Sequence, residues 1–109
     1  MASAYKVLGN VNPSATTATT LYTVPSATSA IISTIVICNQ AASSGTYRVA
    51  IRPAGAALAA TQYIAYDAAL PANDSIYLTL GITLGTTDVI TVYSSSATMS
   101  FLAFGTEIT

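Results

Sequence analysis

The chain is predicted to be all-β: an antiparallel β-sandwich, jelly-roll-like, with about eight short strands. Three observations carry that prediction. Runs rich in Thr, Ile, Val and Tyr alternate with clusters of Gly, Pro, Asn, Asp and Ser at fairly regular intervals. Several runs place apolar residues at every second position, the period of a half-buried strand. Pro13, Pro25, Pro53 and Pro71 all fall outside the runs or at their ends, where a missing N–H does no harm. The 109 residues are sized for a single domain over 1–109.

Segments 4–11 and 19–24 read as the first two strands, closed off by Pro13 and Pro25. In 29–39 the stretch Ile31 to Cys38 is apolar on both faces, the pattern of a central strand covered on both sides. Cys38 is the only cysteine, so no internal disulfide forms, and a buried, inert thiol is expected. In 45–52, Tyr47, Val49 and Ile51 share one face, and Arg48, Ala50 and Arg52 the other. Tyr47 is therefore expected to point inward.

The stretch Ala54-Gly-Ala-Ala-Leu-Ala-Ala60 is rich in a good helix former, but Pro53 and Gly55 and its shortness predict a loop with one helical turn. Strand 61–66 follows, ending at Tyr66-Asp67. In 75–83, Ile76, Leu78 and Leu80 oppose Tyr77, Thr79 and Gly81, which turns Tyr77 outward. Strands 88–94 and 98–108 complete the set, and the last has apolar residues on both faces near its middle. Leu70-Pro-Ala-Asn-Asp74-Ser-Ile76-Tyr-Leu78 and Leu84-Gly-Thr-Thr-Asp88-Val-Ile90-Thr-Val92 echo each other. Each reads as a polar turn whose Asp hydrogen-bonds local backbone just before a strand.

Charge is the most unusual feature. Lys6, Arg48, Arg52, Asp67, Asp74, Asp88 and Glu107 make 6% of the chain, against 52% hydrophobic residues. Soluble domains ordinarily carry about 25%. Charge keeps a free monomer dissolved and apart from its neighbours. A surface with so little of it is expected to be covered by other protein or tiled with Ser and Thr hydroxyls. An assembly subunit is the first expectation.

Other classes are disfavoured. A net charge of −1 leaves no basic patch for nucleic-acid phosphates. No apolar run approaches the ~18–20 residues of a membrane-spanning helix, and most strands fall short of the ~9–11 residues a spanning barrel needs. The N-terminal Met1-Ala-Ser-Ala-Tyr-Lys6 lacks the basic and apolar regions of a signal peptide. With no histidine and one cysteine, neither a His-based general base nor a structural zinc site is expected. Asp67, Asp74 and Asp88 are accounted for as turn and capping acceptors, and no catalysis, cofactor or metal is expected.

Arg48 and Arg52, two of only three cations, project from one face of one strand, which suits an ion pair reaching a carboxylate across a subunit contact. Ordinary solvated surface is the alternative. Tyrosine supplies seven of the nine aromatics, and it is favoured at protein interfaces. The residues expected at an interface are Lys6, Arg48, Arg52, Tyr77 and Glu107.

Leu21-Tyr-Thr-Val-Pro25, Ile31-Ile-Ser-Thr-Ile-Val-Ile-Cys-Asn39, Tyr47-Arg-Val-Ala-Ile-Arg-Pro-Ala-Gly55, Tyr63-Ile-Ala-Tyr-Asp67, the two Asp turns and Phe101-Leu-Ala-Phe-Gly-Thr-Glu-Ile108 resemble segments of small virion structural proteins of tailed bacteriophages. The likeness runs from about Tyr5 onward and is greatest to versions found in cyanophages and other aquatic phages. It implies a non-enzymatic β-sandwich in the virion. A capsid decoration (cement) protein is expected, binding the major capsid protein and stabilising the lattice on the capsid surface, as a homo-oligomer with a trimer favoured. A tail, neck or baseplate subunit, or a module binding host glycans, are the alternatives. The resemblance brings no functional residues with it.

Overall fold

In the computed structural model, which describes residues 2–109, nine strands form two sheets. They are β1 Ser3–Val11, β2 Thr19–Thr23, β3 Ser29–Asn39, β4 Gly45–Arg52, β5 Tyr63–Leu70, β6 Ser75–Leu78, β7 Ile82–Leu84, β8 Val89–Ser94 and β9 Met99–Ile108. The first sheet runs β1-β9-β3-β6, with β7 beside β6 on the same edge of β3; the second runs β2-β8-β4-β5. Every pairing is antiparallel.

This order has a simple origin. The chain folds back on itself near Pro53–Gln62, so that strands of the first half pair with strands of the second. β4 meets β5, β3 meets β6 and β7, β2 meets β8, and β1 meets β9. Wrapping that long hairpin sends alternate pairs to opposite sheets, and β3·β9 and β4·β8 then close each sheet. The result is a jelly roll.

The core lies between the sheets. Ile32, Ile35 and Ile37 of β3 and Met99 and Phe101 of β9 face Val49 of β4 and Ile90 and Val92 of β8, all essentially inaccessible. Tyr47 is buried and Tyr77 exposed, as their strand parity requires. Each fully buried aliphatic or aromatic side chain stabilises the fold by roughly 1.5–3 kcal/mol.

The two echoing segments share a geometry. Asn73 and Thr87, each just before its Asp, have positive φ of 51° and 67°. The Asp74 side chain accepts from the Ser75 N–H at 2.8 Å, and the Asp88 side chain accepts from Gly85 N–H at 2.8 Å. A third copy leads into β3, where Ala27 has φ 54° and the Thr28 hydroxyl donates to the Ser26 carbonyl.

Four expectations need correction. Segment 75–83 is two strands, because the chain breaks between Leu78 and Ile82 with Gly81 at φ 63°. That break resets the alternation, so Leu80 is exposed and Ile82 takes the inward position against Ile32. The strand placed at 61–66 is Tyr63–Leu70, continuing past Asp67 through a bulge. The stretch after Pro53 makes two short 3₁₀ turns, Pro53–Gly55 and Ala60–Gln62. Cys38 is half-buried and belongs to the outer face of the first sheet, because the covering layer expected there is not supplied by the chain itself.

Candidate functional site

Residues paired across strands share a face, so the registers define the outer side of the first sheet. One row is Tyr5, Thr106, Ile31 and Thr83; the next is Val7, Phe104 and Thr34. A third is Asn10, Leu102, Val36 and Tyr77, and the last is Ser100, Cys38 and Ser75. None of these side chains is charged. Tyr5 is 84% exposed and Tyr77 66%, with Val7 and Ile31 also open to solvent. β3 was expected to be covered on both sides. The chain covers one.

The charged interface candidates lie elsewhere and meet partners within the chain. Lys6 pairs with Gly105, which pairs in turn with Ile32, and Glu107 pairs with Ala4 and Ala30, on the core side of the sheet near its edge. There Lys Nζ of residue 6 sits 2.7 Å from Glu107 Oε1, and the Tyr22 hydroxyl of the opposite sheet donates to Glu107 Oε2 at 2.6 Å. The triad therefore ties the sheets together. Hydrogen bonds from Lys6 and Tyr22 hold the Glu107 carboxyl below its ordinary range against the opposing pull of desolvation. Burial, then the hydrogen bond to Glu107 and its charge, hold the Tyr22 phenol well above its ordinary range.

These shifts fix the sign of a pH dependence. A carboxyl held low contributes stability that is complete above its unfolded value and is lost as pH falls through the folded one. A phenol held high contributes stability that is complete below its unfolded value and is lost as pH rises through the folded one. The melting temperature is thus expected to fall on the acid side below about pH 4 and on the alkaline side above about pH 10. Glu107→Gln should lower the melting temperature on the order of 5 °C at neutral pH and flatten the acid limb. Tyr22→Phe should flatten the alkaline limb.

On the outer side of the second sheet, a bulge decides the arrangement. Tyr47 pairs with Ala68 and Val49 with Ala65, so Arg48 alone stands opposite both Tyr66 and Asp67. Asp67 takes up the extra residue with φ 50°. Arg48 donates from Nε to Asp67 Oδ1 at 2.7 Å and from Nη2 to Oδ2 at 3.2 Å. Its guanidinium lies 4.1 Å from the Tyr66 ring centroid and 4.2 Å from that of Tyr93. The carboxylate Arg48 reaches is thus in its own chain. The hydrogen bond from Arg48 holds the Asp67 carboxyl below its ordinary range.

Arg52 is a strut for the tip of the long hairpin. It donates to the carbonyls of Ala56 at 2.7 Å and Gly55 at 3.0 Å and to the Thr91 hydroxyl at 3.4 Å. Asp88 helps by accepting from the Ala54 N–H at 2.8 Å. The sequence pointed to the two arginines but could not show how their side chains are used, because Asp67 faces Arg48 only through the bulge. Tyr63, Tyr66 and Tyr93 gather on this face around Arg48, a cluster drawn from two strands far apart in the chain. Of the five interface candidates, Tyr77 alone belongs to the uncharged face.

Among the described residues no three His, Cys, Asp or Glu side chains group as metal ligands would. No helix is long and apolar enough to cross a membrane. Comparison with protein families, curated proteins and solved structures gives no match.

Proposed function

We propose that the protein is a non-catalytic structural subunit of a bacteriophage particle, a decoration protein that is seated by the outer face of its first sheet against other protein of the shell. The observation that carries this reading is that face: uncharged in every row, with Tyr5 and Tyr77 exposed and β3 presenting Ile31, Val36 and Cys38 on the side the chain leaves open. An uncharged sheet face that mixes exposed aromatic and aliphatic side chains with hydroxyls is the chemistry of a protein contact. Burying it would release water at about 25 cal/mol per Å², before the cost of docking. The segments that resemble phage virion proteins include both central strands of this sheet. Jelly rolls serve as capsid and lectin domains alike, so the fold adds only an analogy.

The first test is the copy number per particle, by quantitative mass spectrometry of purified virions against the major capsid protein. On the order of hundreds of copies in a fixed ratio is expected for a lattice site, whereas about a dozen or fewer would favour the tail, neck or baseplate. Absence from virions would end the reading. The second test is Leu102→Lys with Tyr77→Lys. Placing two unpaired cations on the face should reduce binding to particles lacking the protein by about 100-fold or more, with the melting temperature little changed. Undiminished binding would show that another surface docks.

A further inference from the structure

We infer that the outer face of the second sheet carries a binding site for a neutral saccharide of about two sugar rings. The site is formed where the hairpin tip lies over the sheet. Leu58, Ala59 and Ala60 form one wall of a recess of about 420 Å³ whose other side is Tyr63 and Tyr66. A second recess of about 190 Å³ shares Leu58 and Tyr63 and continues to Arg48, Tyr93 and the hydroxyl-bearing Thr16 and Thr91. The larger recess has the size of a small-ligand site, and the two together make one groove, apolar and aromatic at one end and polar at the other.

The side chains specify the ligand. Tyr63 and Tyr66 meet edge to face at a centroid distance of 4.9 Å, forming an aromatic corner. Arg48 covers one face of the Tyr66 ring, and the residue as a whole is 59% exposed. The face of an aromatic ring is negative, and the C–H groups on one side of a pyranose carry the complementary partial charge. The polar end offers donors and acceptors without net charge. Arg48 is neutralised by Asp67, yet it spends only Nε and one Nη2 proton on that pair, leaving other N–H groups. The Thr16 hydroxyl donates to the Ala15 carbonyl at 2.7 Å and keeps acceptor capacity, and the Thr91 hydroxyl accepts from Arg52 at 3.4 Å and keeps its proton to donate. An anion would have to compete with Asp67 for Arg48, and a purely apolar ligand would strip water from the remaining Arg48 N–H groups without replacing it. A ring with hydroxyls on its rim satisfies both ends.

The groove is also prearranged. Arg52 and Gln62 hold the tip, the latter accepting from the Ala59 N–H at 2.9 Å and donating to the Ala57 carbonyl at 3.1 Å. Arg48 is fixed by Asp67 and by two rings. Little ordering is left to oppose binding. Because the outer faces of a sandwich point in opposite directions, this site and the uncharged face can be occupied at once. The inference does not rest on the capsid reading.

The test is an NMR titration of the full-length ¹⁵N-labelled protein with maltose, lactose, methyl mannoside and chitobiose, with sodium sulfate as the anionic control. At least one sugar should shift the amides of 58–67 and 91–93 with a dissociation constant of about 1–10 mM, and sulfate should not. Tyr66→Ala should weaken the response about tenfold or more, Tyr66→Phe should retain it, and Leu58→Arg should abolish it by filling the groove. Both positions are exposed, so the variants are expected to fold, which the amide spectrum itself reports. No shifts in this region up to about 50 mM sugar, shifts indifferent to Tyr66→Ala, or a response to sulfate alone would each overturn the inference. So would loss of particle binding by Tyr66→Ala without any sugar response, which would make the cluster a protein contact.

Discussion

Replacing Gly105 with alanine is expected to destabilise the protein by about 3 kcal/mol or more, lowering its melting temperature by roughly 15 °C. Gly105 lies on β9 between β1 and β3, where the register of β3 slips between Ile32 and Thr34. A Cβ at this position would fall 2.0 Å from the carbonyl oxygen of Ile31 and 3.0 Å from the Cα of Ile32. Both obstacles are backbone, so no side-chain rotation relieves them; a strand in the middle of the sheet must move. Against a total stability of about 5–15 kcal/mol, that is a large share. Gly85→Ala is the control, since its added methyl would meet only Asp88 Oδ2 at 3.8 Å. Thermal unfolding followed by circular dichroism compares the two. Equal melting temperatures would mean that the close approach at Gly105 is not there.

The other large effect is expected at Asn39, and it should depend on pH. Asn39 is 1% exposed at the end of β3, and its amide nitrogen donates to the carbonyls of Ser43 at 3.0 Å, Pro71 at 3.2 Å and Leu70 at 3.3 Å. Its amide oxygen accepts from the Ala41 N–H at 3.1 Å. One side chain thus joins the β3–β4 loop to the turn before β6. Asn39→Asp keeps the shape but places a carboxylate against three carbonyl oxygens, and a loss of about 3–4 kcal/mol at neutral pH follows. The introduced carboxyl should titrate above its unfolded value of about 4. Its penalty is therefore smallest at pH below that value and grows as pH rises through the folded one, the reverse of the wild-type acid limb. Melting temperature against pH measures it. A variant that is equally stable from acid to neutral pH would show that this side chain does not sit among the carbonyls.

Both residues mark where sequence reading stops. The alternation of Tyr47, Val49 and Ile51, and the apolar run in β3, are visible because a strand has a period of two. The turns before β6 and β8 are visible because their Asp side chains bond backbone within three residues. Neither reading reaches Gly105, whose need for a missing side chain comes from Ile31, a strand away. Bulges are equally hidden, since one extra residue changes nothing in local composition yet reverses every later side chain. For that reason a strand that runs on through Asp67 to Leu70 reads as ending at Tyr66, and the break at Gly81, equally silent in the alternation, puts Leu80 on the wrong side.

The candidate surfaces divide the same way. Scarcity of charge and a strand apolar on both faces already pointed to a surface that needs a cover, and Tyr77 was assigned outward by parity alone. Which face is left open depends on the wrapping of the hairpin, which puts β3 at the centre of a sheet with nothing over one side. Arg48 is brought to Asp67, Tyr66 and Tyr93 by pairings of β4 with β5 and β8. The amino-acid sequence by itself determined the class of fold, most of the strands and the inward residues of those that alternate without interruption, because these follow from the local period of hydrophobicity and from turn chemistry. Only the tertiary structure decided register, bulges, ion-pair partners and the groove, because each depends on residues distant in the chain that are placed together by the packing of two sheets.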